Sequence, residues 1–330
     1  MDIEKMMMIK IKFFFYVTFL ACLLTGCGEV QTSRMVENIT VQNGNVYYYI
    51  KGLEKPFNVL FLSDTHFTVE DERGKEYYAY THRMGGGAVE PENYGKGNGR
   101  DLAFRASLDK AKKAGSELVI LGGDIINFPS LASVEYIKSI LDESGLNWIY
   151  VAGNHDWHYE GESGSSFLQR DKWTASNLND LYQGQNPMFN AQTVHGVNFV
   201  TIDNSAFEIT KEQLDFFQKQ VGKGLPIVLS MHIPVYLPGH NIDYGCGHPD
   251  WNKKNDIYYE IERRESWPEN GFMETTYQFC DLVLNSPEVI GVYAGHTHEE
   301  AVDFVNGKLQ YVAAANYNNK DILIHFVPVD

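Results

Sequence analysis

The chain has 330 residues and a formal net charge of −16, from 27 Lys and Arg residues against 43 Asp and Glu residues. Its 44% hydrophobic content is enough for one large core or two modest ones. An acidic surface repels a phosphate backbone, so we expect no nucleic acid partner. A small phosphorylated substrate is still compatible with this charge, because a local metal ion outweighs a diffuse surface charge.

The first segment of the chain is predicted to be a targeting signal. Three lysines precede an apolar run over residues 13–24, which is short for a membrane-spanning helix. The run leads into Leu-Thr-Gly-Cys at residues 24–27, which resembles the bacterial lipobox. That resemblance implies a lipoprotein signal peptide over residues 1–26 and lipidation of Cys27. The product would be an exported bacterial lipoprotein, anchored in a membrane on the periplasmic or cell-surface face. The alternative is an ordinary signal peptide followed by a chance cysteine.

The mature chain is predicted to begin with a linker. Residues 27–43 lack periodicity, and we expect a flexible tether there, followed by one domain over residues 44–330. With Cys27 lipidated, the cysteines of the domain are Cys246 and Cys280. An oxidising exterior permits a disulfide between them, but two buried free thiols fit the sequence equally.

The domain alternates short β-rich apolar runs with helical patterns. Strands are predicted at residues 57–63, 117–121, 147–151, 198–202, 227–231 and 289–294, with two late strands at 309–315 and 321–327. Helices are predicted at residues 101–114, 134–141, 211–221 and 277–284. Continuous Val, Ile and Leu strands between helices indicate a sheet covered on both faces, and the late strands indicate an antiparallel portion. We therefore expect an α/β fold with one mixed sheet, or two sheets packed face to face.

Two long polar stretches, residues 67–100 and 236–273, interrupt this alternation. Long irregular insertions in a compact domain are usually functional loops or lids. In the second insertion, Arg263 and Arg264 are suited to gripping a phosphate, and Trp267 to forming a wall against the substrate. The alternative is a structural lid whose arginines form surface ion pairs.

Polar side chains directly follow five of the predicted strands. These segments read Asp64-Thr65-His66, Gly122-Gly123-Asp124, Gly153-Asn154-His155-Asp156, His232 and Gly295-His296-Thr297-His298. Ligands collect beyond the carboxyl ends of strands in α/β sheets, so we expect these side chains to line one site. Mixed Asp, His and Asn side chains suit divalent cations, and the candidates exceed what one tetrahedral ion needs. The sequence therefore predicts two ions that share a bridging carboxylate.

The order D-x-H, G-D, G-N-H-D, H and G-H-x-H over residues 58–298 resembles the calcineurin-like metallophosphoesterase superfamily. The resemblance implies a four-layer α/β/β/α sandwich of two mixed sheets flanked by helices. It implies that one ion is bound by Asp64, His66 and His298, that the second is bound by Asn154, His232 and His296, and that Asp124 bridges both. It also implies hydrolysis of phosphomonoesters or phosphodiesters by a metal-bound hydroxide. The ions would be Mn, Zn, Fe or Mg, an identity that the sequence leaves open.

The resemblance leaves His155 without a metal ion, and gives it the role of supplying a proton to the leaving oxygen. Asp156 is then expected to accept a hydrogen bond from the other ring nitrogen and fix the imidazole. Alternatively, Asp156 only caps the following segment. Asn127 stands where purple acid phosphatases place a tyrosine, so their iron site is not carried over.

The predicted partners are a phosphorylated small-molecule or lipid substrate and, through Cys27, a membrane. Two rival functions are weighed against this one. A nuclease of the same superfamily is disfavoured by the acidic charge and the lack of basic runs. An inactive, metal-stabilised binding protein of the cell surface is disfavoured by the complete ligand set together with His155.

Overall fold

Two six-stranded sheets form the body of the protein. In this computed structural model the described residues are 35–81, 84, 99–242, 244–252, 254 and 271–330. The chain divides into two units, Met1–Thr32 and Ser33–Asp330, and all described residues lie in the second. The residues predicted for targeting, lipidation and substrate contact, namely residues 1–26, Cys27, Arg263, Arg264 and Trp267, lie outside the described part. Within it, no helix has the length and apolar character needed to cross a membrane.

The strands alternate with helices along most of the chain. The strands are β1 (Val36–Gln42), β2 (Asn45–Lys51), β3 (Phe57–Leu62), β4 (Leu118–Leu121), β5 (Trp148–Tyr150), β6 (Phe189–Val194), β7 (Val197–Ile202), β8 (Ile227–Ser230), β9 (Val289–Ala294), β10 (Ala301–Val305), β11 (Lys308–Val312) and β12 (Ile322–Val329). The α-helices are α1 (Tyr78–Thr81), α2 (Gly99–Ala114), α3 (Leu131–Ser144), α4 (Ser166–Thr174), α5 (Lys211–Val221) and α6 (Glu274–Asn285). Short 3-10 helices lie at Glu72–Tyr77, Asn179–Tyr182 and Asn316–Asn318.

Both sheets are mixed, as the sequence predicts. The first has the strand order β1-β2-β12-β3-β4-β5 and the second β10-β11-β9-β8-β7-β6. The triplets β3-β4-β5 and β7-β8-β9 are parallel within themselves. The late strands form antiparallel pairs as predicted, because β12 runs antiparallel to β3 and β11 runs antiparallel to β10. The edge pairs β1-β2 and β6-β7 are antiparallel as well.

The alternation of side chains along β3 explains the four layers. Val59 and Phe61 belong to the core between the two sheets, together with residues of the second sheet such as Phe199. Leu60 and Leu62 belong to the core that includes the helices. Successive side chains of a strand point to opposite faces, so a continuously apolar strand is buried on both. The predicted sandwich of two mixed sheets flanked by helices is confirmed.

The predicted tether over residues 27–43 is wrong for its second part. Val36–Gln42 forms β1, which pairs antiparallel with β2 through a turn at Asn43 and Gly44, both with positive φ. This edge strand is half-buried or exposed along its length, so its polar residues hide the strand pattern from the sequence.

Cys246 and Cys280 are free thiols in the structure, and both are buried. The Cys280 thiol lies 3.8 Å from the carbonyl oxygen of Cys246. The structure therefore shows the free-thiol alternative of the two that the sequence leaves open.

Candidate dinuclear metal centre

The side chains that follow the strands converge at one edge of the sandwich. The potential ligand atoms form two groups, and within each group all of these atoms lie within 4.8 Å of one another. The first group contains Asp64, His66, Asp124 and His298, and the second contains Asp124, His232 and His296. Asp124 belongs to both groups, which is the arrangement of a bridging ligand.

Short distances define the first group. The Nε2 atoms of His66 and His298 lie 3.0 Å apart, and Nε2 of His298 lies 3.4 Å from Oδ1 of Asp64. Nε2 of His66 lies 3.6 Å from Oδ2 of Asp124. Two imidazole nitrogens and two carboxylates that face one point are a donor set suited to a divalent cation.

The second group includes the predicted amide ligand. Nε2 of His232 lies 3.1 Å from Oδ2 of Asp124. Nδ1 of His296 lies 3.1 Å from Oδ1 of Asn154. The structure thus brings together all seven side chains that the sequence selects as ligands, in the two sets that the family resemblance implies.

The backbone at the site is held in an uncommon conformation. Five of the candidate ligands have positive φ without being glycine, at 56° for Asp64, 47° for His66, 50° for Asp124, 72° for His296 and 60° for His298. Few non-glycine residues adopt this region, and such strain concentrates at functional sites. Of the eleven non-glycine residues with positive φ in the described part of the chain, five are thus candidate ligands.

Glycines beside the ligands make room for the carboxylates. A Cβ on Gly153 would lie 2.1 Å from Oδ1 of Asp124, and a Cβ on Gly295 would lie 2.2 Å from Oδ2 of Asp64. Both distances are impossible for a real side chain, so these two positions require glycine.

Three histidine rings are oriented through their Nδ1 atoms. Nδ1 of His232 lies 2.9 Å from the carbonyl oxygen of Gly122, which can only accept, so Nδ1 carries a proton and Nε2 is the nitrogen left to bind an ion. Nδ1 of His66 lies 3.1 Å from Oδ1 of Asn127, and Nδ1 of His298 lies 3.1 Å from the Tyr317 hydroxyl. Such contacts fix the ring plane and direct Nε2 at an ion.

Sequence reasoning missed Tyr317 and its neighbour Asn316. The buried Asn316 amide accepts from the Thr65 hydroxyl at 3.2 Å and donates to Oγ of Ser107 at 2.9 Å. This contact joins the turn that carries Tyr317 to the segment between Asp64 and His66. Asn316 directly follows the predicted strand at 309–315, so its position at a strand end was a signal that could have found it. Tyr317 lies one residue further on, and a tyrosine there gives no sign of its contact with His298.

The residues fit the ions that the fold implies. Nε2 of His232 is buried and, within the described part of the chain, has no well-formed hydrogen bond, although Oδ2 of Asp124 lies only 3.1 Å away. A buried, unpaired nitrogen is costly unless something binds it. A divalent cation between the two atoms satisfies both.

The electrostatics favour cations strongly. Burial raises the pKa of Asp64, but contacts with His298 and His66 outweigh it and lower this pKa. Burial likewise opposes ionisation of Asp124, but His232 and His155 hold its pKa well below the usual range. Burial lowers the pKa of His232, yet the Asp124 charge outweighs it and raises this pKa to about 10. Without ions, the His232 ring is therefore protonated on both nitrogens at neutral pH and carries a positive charge.

Ion binding at neutral pH should release a proton from His232. The ion needs the Nε2 lone pair, which the proton occupies below a pKa of about 10. The apparent affinity of the second position for an ion should increase about tenfold with each unit rise in pH, until the pH reaches that pKa. Calorimetric titration of the chelator-treated protein in buffers of different ionisation enthalpy measures the release. Proton uptake, or an affinity independent of pH, would contradict the role of His232.

His155 lies beside the first group without belonging to either. Its ring packs edge-to-face on His66, with 4.7 Å between centroids and 83° between planes. Its buried Nδ1 has no hydrogen-bond partner among the described residues, and its backbone N–H donates to Oδ1 of Asp124 at 2.8 Å. Burial, the largest influence, lowers the pKa of His155 to about 4, although the Asp124 charge opposes the shift.

The prediction that the Asp156 carboxylate accepts a hydrogen bond from the His155 ring is wrong. The buried Asp156 carboxylate accepts instead from the backbone N–H groups of Asp124 at 2.9 Å, Ile126 at 2.9 Å and Gly153 at 2.7 Å. It therefore holds the Asp124 loop against the Asn154 loop. The alternative, a cap on the following segment, is also not what these contacts show.

Replacing Asp156 by alanine should destabilise the protein. It leaves three buried N–H groups without an acceptor, which we expect to cost roughly 3 kcal/mol or more of unfolding free energy. Urea unfolding of the metal-loaded protein measures the loss. Asp142→Ala is the control, because Asp142 pairs with Lys138 on the exposed face of α3 and its loss should change stability by under about 0.5 kcal/mol. Loss of turnover with unchanged stability would instead support a direct role beside His155.

Two neighbouring cation sites that share a carboxylate, at one edge of an α/β sandwich, define a two-metal hydrolase centre. The sequence profile of the calcineurin-like phosphoesterase family matches residues 57–300. None of the curated proteins compared with the chain matches it significantly.

Solved structures that resemble this chain do so at low sequence identity. A dimetal phosphatase from Danio rerio is 12% identical, with 79% of this chain and 88% of that chain covered and a TM-score of 0.49. A protein of Thermus thermophilus is 10% identical, with 79% and 90% covered and a TM-score of 0.44. GAP50, the anchor in the inner membrane complex of Plasmodium, is 13% identical, with 80% and 73% covered and a TM-score of 0.42.

The profile match spans most of the chain and every candidate ligand. The chain therefore belongs to the calcineurin-like phosphoesterase family. It is a metal-dependent hydrolase that acts on phosphoester bonds.

Proposed function

We propose that this protein hydrolyses phosphomonoesters or phosphodiesters of small molecules or lipids at a dinuclear centre formed by the two ligand groups. The observation that carries the proposal is that Asp124 belongs to both ligand groups, and that the imidazole of His155 lies beside them without belonging to either. Divalent ions at such a centre activate a water molecule and neutralise charge on the phosphoryl oxygens.

The residues of the chain hold the ions and orient the ligands. Asp64, His66 and His298 hold the first ion, Asn154, His232 and His296 hold the second, and Asp124 holds both. Asn127, Gly122 and Tyr317 fix the rings of the three histidines that present Nε2. The strained backbone keeps these side chains in place before substrate arrives, which reduces the cost of reorganisation during the reaction.

His155 is the group that moves a proton. Burial lowers the pKa of the ring to about 4 before substrate is present. An anionic phosphoryl group beside the ring would favour its protonated form, which can donate to the leaving oxygen. The ring is held beside His66 by packing and by the backbone bond to Asp124, not by Asp156.

A substrate panel tests the proposal. The metal-loaded protein is assayed with an aryl phosphate, an aryl phosphodiester, nucleotides, a phospholipid headgroup ester and an oligonucleotide, each with Mn, Zn, Fe or Mg. We expect hydrolysis of at least one small ester and none of the oligonucleotide, because the chain carries a net charge of −16. Bound ions without turnover on any ester would favour the inactive binding protein, and cleavage of the oligonucleotide would favour the nuclease.

We also propose that the protein is exported and anchored through lipid on Cys27, with the active domain on the periplasmic or cell-surface face of the membrane. The support is the lipobox-like segment at residues 24–27, directly after the apolar run. Cys27→Ser should abolish incorporation of labelled fatty acid and release the protein from membranes. Cys22→Ser, inside the predicted signal peptide, is the matched control and should leave both unchanged. Labelling of the Cys27 variant would contradict the proposal.

A further inference from the structure

An arginine that the sequence gives no reason to select lies against the first ligand group. Arg100, in the first turn of α2, donates from Nη1 to the carbonyl oxygen of His66. Its guanidinium lies over the ring of Tyr317, with Cζ 5.6 Å from the centroid. The Tyr317 hydroxyl in turn lies 3.1 Å from Nδ1 of His298. Arg100 therefore lies beside two candidate ligands of the same ion.

Arg100 differs from the other arginines of the described part in its partners. Arg73, Arg105 and Arg170 each have a carboxylate within 4.0 Å. No carboxylate of a described residue lies within that distance of Arg100. The side chain is half-buried, and burial lowers its pKa, but an arginine stays charged in a protein. A charge removed from water without a paired carboxylate is costly, and a cationic site raises this cost further.

The charge of the site indicates which kind of ligand would offset the positive charge of Arg100. Two ionised carboxylates, Asp64 and Asp124, face the two proposed divalent ions, so the loaded centre keeps a positive surplus that Arg100 enlarges. An anionic substrate group with more than one charge matches this surplus best. A guanidinium also presents a planar pair of donors that fits two phosphate oxygens.

The two ester classes of the proposed function differ in this respect. A phosphomonoester has three nonbridging oxygens and is largely dianionic above its second pKa of about 6. A phosphodiester has two nonbridging oxygens and a single charge. A donor beside the ions therefore has an additional oxygen and an additional charge to bind in the monoester alone.

We propose that Arg100 binds the phosphoryl group of the substrate and makes the protein a phosphomonoesterase by preference. The inference rests on the proposed function and adds to it the substrate class and the residue that selects it. The observations that carry the inference are the contacts of Arg100 with His66 and of Tyr317 with His298, both ligands of the proposed first ion.

Ligand binding tests the inference without relying on turnover. Inorganic phosphate and dimethyl phosphate are titrated at pH 8 into metal-loaded wild-type protein, Arg100→Gln and Arg100→Lys. Arg100→Gln should weaken phosphate about 10- to 100-fold, the range for a hydrogen bond between charged groups, and weaken dimethyl phosphate by less than about 3-fold. Arg100→Lys should fall between wild type and Arg100→Gln for phosphate, because it keeps the charge and loses the paired donors.

Arg105→Gln is the matched control. Arg105 lies in the same helix and pairs with Asp101 at 3.0 Å and Glu143 at 3.3 Å, away from the ligand groups. It should bind both anions as wild type does. Metal content is measured on every variant, and loss of an ion from Arg100→Gln would make Arg100 a support of His66 and overturn the inference. Equal weakening of both anions, or of neither, would also overturn it.

Turnover supplies the second readout. Arg100→Gln should raise KM for an aryl phosphate more than it lowers kcat, and should change an aryl phosphodiester little. A wild-type protein that hydrolyses neither ester would end the proposed function, while the phosphate titration would still decide the role of Arg100. Faster wild-type turnover of the diester than of the monoester would overturn the preference inferred here.

Discussion

Replacing Asp124 by asparagine is expected to remove both ions from the protein and to lower turnover by about 1000-fold or more. Asp124 is the one side chain shared by the two ligand groups. The amide keeps the shape and can still accept the N–H of His155, which Oδ1 of Asp124 accepts at 2.8 Å. It lacks the charge that offsets two adjacent cations, and several kcal/mol of electrostatic stabilisation correspond to three or more powers of ten in rate.

Metal analysis after gel filtration and steady-state kinetics of the same Asp124→Asn preparation measure the two effects. Asp303→Asn is the matched control, because Asp303 also faces an imidazole, with 3.1 Å to Nε2 of His240, but belongs to neither ligand group. It should keep both ions and full activity. An Asp124→Asn protein with wild-type turnover would contradict the bridging role, and so would one that keeps two tightly bound ions.

The positions of the ligands could be predicted because strand ends carry them. Asp64, Asp124 and Asn154 follow β3, β4 and β5, which run parallel and adjacent, so their carboxyl ends share one edge. His232 and His296 follow β8 and β9, which are parallel neighbours in the second sheet. Periodicity locates these ends to within a residue or two, and the Asp, Asn and His side chains found there indicate metal ligands.

The pairing of ligands across the two sheets could not be derived from periodicity alone. His232 of the second sheet meets Asp124 of the first, with 3.1 Å between Nε2 and Oδ2. That contact depends on how the sheets pack face to face, which the strand pattern does not encode. Only the resemblance to a known family assigns each side chain to an ion.

The supporting contacts were the least predictable part of the site. Asp156 follows His155 in sequence, which suggests a pair, but its carboxylate faces the backbone of two loops instead. Tyr317 orients His298 from a turn that precedes β12. Hydrogen bonds of this kind are set by tertiary packing, and a single residue in a loop gives no periodic signal.

Replacing His155 by alanine is expected to keep both ions and to lower kcat by about 100- to 10,000-fold, the contribution of a positioned proton donor. His155 belongs to neither ligand group, and no residue in the described ranges forms a hydrogen bond with its buried Nδ1. Metal content and kcat are measured on the same preparation. His240→Ala, which removes an imidazole that pairs with Asp303 away from the ligand groups, is the control and should change neither.

The leaving group distinguishes a proton donor from a residue that only packs against His66. A p-nitrophenolate leaves without protonation, whereas an alkoxide needs a proton as the bond breaks. The loss of kcat in His155→Ala should therefore be at least about tenfold larger for an alkyl phosphate than for p-nitrophenyl phosphate. A purely structural role predicts equal losses on the two esters, because displacement of His66 would weaken the ion for both. Equal losses, or a loss of one ion, would thus contradict the role of His155 as a proton donor. They would show that its ring, whose centroid lies 4.7 Å from that of His66, acts only by packing against that ligand.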